Sequence, residues 1–163
     1  MQNKQLNINY KVYGSMDELP AEWLSLLQKA IDATERSYAP FSNFNVGAAI
    51  LLDNGEVVCG ANQENAAFPS GLCAERSACY YAGAAWPGAK MLAIAIAAKQ
   101  DGKLTEKPTY PCGACRQALV QYESRAGVPM TVIVGSAGRV EVFSSMRDLL
   151  PFVFDNLETA VGE

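Results

Sequence analysis

The 163-residue chain predicts an α/β fold: a three-layer α/β/α sandwich around a mixed five-stranded sheet. Three observations carry that prediction. Two β-rich apolar runs, Phe44 to Leu52 and Glu56 to Ala61, flank Asp53-Asn54-Gly55, and Asn-Gly between such runs is a strong hairpin signal. Met91 to Ala98 is nearly continuous apolar sequence of strand length, as a strand buried on both faces requires. Helix-like segments alternate with these runs, which favours parallel crossovers beside the antiparallel hairpin.

In chain order, residues 1–20 read as an N-terminal extension of weak pattern, in which Leu6, Ile8, Tyr10 and Val12 alternate as a short strand would. Residues 21–163 read as a single domain. Pro20 suits the first turn of a helix through Trp23, Leu24, Leu27, Ala30 and Ile31, which Ala39-Pro40 ends. After the hairpin, a polar loop from Asn62 to Gly71 leads to an alanine-rich helix, Ala74 to Trp86, stopped by Pro87-Gly88. A charged connector, Lys99 to Lys107, separates the Met91 strand from a third helix around Arg116 to Tyr122. Val128 to Val134 and Val140 to Phe143 follow as strands, then a short helix from Met146.

Composition narrows the chemistry. The chain has no His and five Cys, so histidine bases, His-containing triads and imidazole metal ligands are excluded. Its net charge of −4 argues against nucleic acid as a partner, since phosphate backbones are bound chiefly through Lys and Arg. Residues 1–14 show no secretory h-region and no apolar run reaches membrane-spanning length, so a soluble cytoplasmic protein with no membrane partner is expected. Thiols stay reduced there, which directs the cysteines toward metal, catalysis or the core.

Three cysteines fall where loops turn into helices: Cys73, Cys112 and Cys115. Backbone N–H groups and the dipole at a helix start stabilise the thiolate, the form that binds metal. Cys112-x-x-Cys115 can bring two sulfurs to one tetrahedral Zn²⁺, with Cys73 as a third if the helices lie side by side. Three ligands leave one position open, as in a catalytic zinc. Glu75, two residues beyond Cys73, can face that position as a proton carrier. A divalent cation with three thiolates keeps a surplus negative charge, which Arg76, and similarly Arg116, can offset by donating to the sulfurs.

Cys73-Ala74-Glu75-Arg76 and Pro111-Cys112-Gly113-Ala114-Cys115-Arg116-Gln117 resemble the two zinc motifs of the small homotetrameric zinc-dependent cytidine deaminases. The likeness runs in order from Tyr38 to Phe154, through Phe44-Asn45-Val46-Gly47-Ala48-Ala49, Asn62-Gln63-Glu64-Asn65 and Leu149-Leu150-Pro151 with Phe154. It implies one Zn²⁺ per chain on Cys73, Cys112 and Cys115, with Glu75 catalytic. It further implies that Asn62 and Glu64 bond the ribose 3′-hydroxyl, Phe44 lines the pocket, and the Ala74 backbone orients the base. Phe154 would stack on the base from a neighbouring subunit, making a homotetramer with shared active sites.

The implied reaction is hydrolytic deamination of cytidine and 2′-deoxycytidine, a small-molecule step of pyrimidine salvage. Phe41, Ala66-Ala67-Phe68 and Phe152-Val153 depart from the family's usual residues, which leaves a modified base, such as blasticidin S or another cytosine analogue, as an alternative substrate. A zinc-stabilised binding module is the non-enzymatic alternative. It requires a fourth sulfur from Cys59 or Cys79, but Cys79 projects from another face of its helix than Cys73, and Cys59 reads as core.

Overall fold

A computed structural model describes residues 1–155; the end of the expected domain, 156–163, lies outside the described residues. Among the described residues seven strands form one mixed sheet, rather than the five expected: β1 (Tyr10–Tyr13), β2 (Phe44–Leu52), β3 (Val57–Ala61), β4 (Met91–Gln100), β5 (Lys103–Leu104), β6 (Thr131–Gly135) and β7 (Val140–Phe143). The order is β1-β7-β6-β4-β2-β3, with β5 paired to the end of β4. Helix α1 (Ala21–Ala33) covers one face, and α2 (Ala74–Ala85) and α3 (Gly113–Ala126) cover the other. The α/β/α layering is therefore as the sequence predicts.

The two extra strands differ in pattern: Tyr10 and Val12 of β1 close the alternating run that begins at Leu6, whereas β5 has little hydrophobic signal. β1 arises within residues 1–20 and pairs antiparallel with β7. β5 arises within the charged connector, where Asp101 (φ 50°) and Gly102 (φ 76°) turn the chain back on β4. Two successive positive-φ residues make the turn that matches strand twist, so Asp-Gly is the hairpin signal there.

The crossovers differ from simple parallel neighbours. β4 and β6, joined by α3, are adjacent and parallel. β2 is antiparallel to both β3 and β4, so the α2 crossover links two strands of like direction with β2 between them. The expected terminal helix is one 3-10 turn, Met146–Asp148, closed by a Ser145/Asp148 capping box; Pro151 shortly afterwards opposes a longer helix.

Two glycines set the spacing of the layers. A Cβ on Gly47 would lie 2.0 Å from the Ala30 carbonyl oxygen of α1, and one on Gly60 would lie 2.5 Å from that of Ala74 in α2. On each face a helix therefore rests directly on strand backbone, and on the second face this fixes where α2 begins.

Candidate metal centre

α2 and α3 begin in the same way. Cys73 and Cys112 are their N-cap residues, both extended, at φ −71°, ψ 154° and φ −66°, ψ 166°. The first helical bonds run from Ser77 N–H to the Cys73 carbonyl and from Arg116 N–H to the Cys112 carbonyl. The N–H groups of the three residues after each cysteine thus lack helical acceptors and leave positive charge at the helix starts.

The sulfurs of Cys73, Cys112 and Cys115 all lie within 4.8 Å of one another. Cys73 and Cys112 Sγ are 3.9 Å apart, and Cys112 and Cys115 Sγ 3.5 Å. A tetrahedral zinc with Zn–S of about 2.3 Å requires sulfurs roughly 3.8 Å apart, so donor type, number and spacing fit one Zn²⁺. Cys115 is buried, Cys73 half-buried and Cys112 exposed, so the cluster faces solvent on one side.

Its electrostatics suit a metal. The Cys73 thiol is lowered to about 5, first by its hydrogen bond with Cys115 and then by Arg76, whose Nη2 donates to Cys73 Sγ at 3.7 Å. Cys115 is raised in turn, first by the bond with Cys73 and then by burial. Three crowded sulfurs cannot all ionise unless a cation joins them. Glu75, in the first turn of α2, is 4% exposed. Burial pushes its carboxyl above the ordinary value, and the Cys73 charge pushes the same way.

A family profile, the cytidine and deoxycytidylate deaminase zinc-binding region, matches residues 21–131. The chain belongs to this family. It is 43% identical over 96 residues to a cytidine deaminase of Halalkalibacterium halodurans, covering 59% of this chain and 68% of that protein. A probable cytidine deaminase of Dictyostelium discoideum is 34% identical over 132 residues, covering 78% and 83%. The crystal structure of the Burkholderia pseudomallei cytidine deaminase superposes with a TM-score of 0.69 at 36% identity, over 83% of this chain and all of that one.

In this deaminase the polar loop after β3 lies beside the three-sulfur cluster, because Gln63 bridges Leu72, the residue before Cys73. Asn62 Oδ1 accepts from Ser37 Oγ (2.5 Å) and Val46 N–H (2.8 Å), and its Nδ2 donates to the Phe44 carbonyl (2.8 Å). One amide hydrogen remains for a further acceptor. Glu64 accepts from Phe41 N–H (2.8 Å), Ser42 N–H (3.3 Å) and Ser42 Oγ (2.5 Å). These bonds, the Ser42 hydroxyl first, hold its carboxyl below the ordinary value. Both side chains therefore shape the 41–46 segment. A cavity of about 330 Å³ joins Asn62, Glu64 and Phe68 to Cys73 and Arg76.

The remaining positions divide. Phe44 is half-buried at the start of β2, and Ala74 is fully buried at the start of α2. Phe154 is 67% exposed, its carbonyl accepting from Gln117 Nε2 at 2.6 Å. Arg116 differs from the expectation that it resembles Arg76: its Nε and Nη1 donate to the carbonyls of Pro111 and Leu149, each at 2.8 Å, because its place in the first turn of α3 points it back along the incoming loop. Cys79 is buried with its thiol raised to about 12 by burial. Cys59 is exposed, not core, since β3 is an edge strand. Neither joins the three-sulfur cluster.

Sequence reasoning missed Glu123 of α3, which is 5% exposed. It accepts from the Met130 and Met146 amides, each at 2.8 Å, and from Ser145 Oγ at 2.7 Å. An acidic residue among helix-surface neighbours carries no sequence signal of such a role.

Proposed function

We propose that the protein catalyses hydrolytic deamination of cytidine and 2′-deoxycytidine to the uridines with release of ammonia, in pyrimidine salvage. The observation that carries this is the pairing of a three-sulfur cluster with a buried acid, Glu75, on the same helix start as Cys73. Bound zinc would be held by Cys73, Cys112 and Cys115, and would supply a Lewis acid that makes water a stronger acid at neutral pH.

Glu75 then has a defined task. Its raised proton affinity suits a group that takes a proton from water and gives it up within one turnover. In the balanced reaction the water oxygen becomes the new carbonyl oxygen on the ring carbon. One water proton ends on ring nitrogen N3 and the other on the departing amine, both carried by Glu75. Arg76 offsets the charge of Cys73 by direct donation. Asn62 offers its free amide hydrogen to the ribose 3′-hydroxyl and Glu64 its carboxylate, Phe44 lines the pocket, and the Ala74 main chain orients the base. Arg116 supports the site through the Pro111 carbonyl next to Cys112.

We place the enzyme in the cytoplasm, without nucleic-acid or membrane partners; no helix among the described residues is long and apolar enough to cross a membrane. Exposed Tyr80, Tyr81 and Phe154 support a homotetramer in which Phe154 reaches a neighbour's site. Phe41 and Phe68, edge to face at 5.7 Å, favour the second reading, a modified cytosine as substrate, because they border the polar loop without hydroxyls. Ammonia release from cytidine, deoxycytidine, cytosine, isocytosine and blasticidin S decides between them. Turnover of the two nucleosides above the rest supports the first reading, and turnover of blasticidin S alone supports the second.

A further inference from the structure

The segment preceding the family match is built into the sheet beside the metal loop. Antiparallel pairing of β1 with β7 sets Tyr10 opposite Phe143 and Val12 opposite Glu141. Cross-strand partners share a face, so Tyr10 lies on the side where Phe143 enters the core beneath α2 and α3. The Tyr10 and Phe143 rings stack at 4.9 Å with 18° between planes. Tyr110 meets the same Phe143 ring at 6.3 Å and 71°. The Tyr110 hydroxyl donates to Glu141 at 2.5 Å, and Glu141, 3% exposed, also accepts from Arg139 Nε at 2.6 Å.

Tyr110 is followed directly by Pro111 and Cys112. Proline fixes its own φ and restricts the residue before it, and the Pro111 carbonyl is held by Arg116. The backbone between Tyr110 and Cys112 therefore has few soft torsions, so the packing of the Tyr110 ring bears on where the Cys112 main chain sits.

We infer that the N-terminal strand positions the metal loop: Tyr10, through Phe143 and Tyr110, holds Cys112 where its sulfur meets those of Cys73 and Cys115. The inference rests on the zinc reading of the site and not on the identity of the substrate. Tyr10 is a positioning residue and touches neither metal nor base.

The test measures zinc release to a coloured chelator from the full-length protein and from Tyr10→Ala, Tyr10→Phe and Val12→Ala, with thermal melting alongside. Tyr10→Ala is expected to lose zinc roughly tenfold faster, the lower end of effects seen for residues supporting metal ligands. Tyr10→Phe keeps the stacked ring and should match the parent. Val12→Ala, on the same strand and face but opposite Glu141, should also match it in zinc release, whatever its melting temperature. Parental release from Tyr10→Ala, or equal acceleration by Val12→Ala, overturns the inference. A parent chain that binds no zinc overturns instead the reading beneath it.

Discussion

Gly60 of β3 lies directly against Ala74 of α2: a Cβ at Gly60 would come within 2.5 Å of the Ala74 carbonyl oxygen and 2.6 Å of the Ala78 nitrogen. The neighbours are helix backbone, so they cannot yield by changing rotamer. Because Cys73 and Glu75 flank Ala74, the placement of the candidate metal centre depends on a missing side chain in a strand.

Gly60→Ala is therefore expected to destabilise the fold by about 1–3 kcal/mol, the usual cost of overpacking, and to reduce bound zinc. Gly88→Ala, where nothing lies within 4 Å, is the control and should change neither. Thermal melting and metal content of both proteins check this.

Arg76→Ala should keep the fold and lower zinc affinity or turnover by roughly 10–100-fold, as removal of a group bonded to a metal ligand does. The Cys73 Sγ contact at 3.7 Å is the interaction removed. Arg116→Ala acts differently, through the Pro111 and Leu149 carbonyls, and should loosen the Cys112 loop and the chain near Leu149 together. Metal titration of the two variants separates the effects.

Glu64 predicts a pH dependence. Its folded-state acidity is strengthened, first by the Ser42 hydroxyl, relative to an ordinary value of 4.5. A depressed carboxylate stabilises the fold at pH above its unfolded value, and that contribution is lost as pH falls through the folded one. The pH-dependent part of the stability difference between the parent and Glu64→Gln should be full at neutral pH, decline as acid takes the solution below 4.5, and level off once both states are protonated. Melting curves from neutral to acidic pH measure it.

Glu123→Ala should cost about 3 kcal/mol, because the Met130 and Met146 amides lose their acceptor and an unsatisfied buried donor costs about 1–3 kcal/mol. Glu123→Gln keeps a carbonyl oxygen for them and should lose less. Urea unfolding of both variants checks the order.

The legible parts of the molecule are those whose physics is local. Asn54-Gly55 announces its hairpin because Gly55 adopts φ 87°, and Cys112-x-x-Cys115 announces a metal pair because one helical turn brings the sulfurs together. β5 was also readable, from Asp101-Gly102, but its surroundings are charged and its pairing spans two residues. What escapes the sequence depends on partners far along the chain. Arg116 can face sulfur or carbonyl until Leu149 is placed beside it, Cys59 is core or surface according to whether β3 is an edge, and Tyr10 has no role until Phe143 lies opposite.

Glu75 is proposed to carry protons at a three-thiolate zinc. Zinc content and cytidine turnover, measured together on the parent and on Glu75→Gln, test this most directly. About one zinc per chain is expected in both proteins, with turnover at least about 100-fold lower in the variant. Parental turnover by Glu75→Gln, or an active parent free of metal, would contradict it.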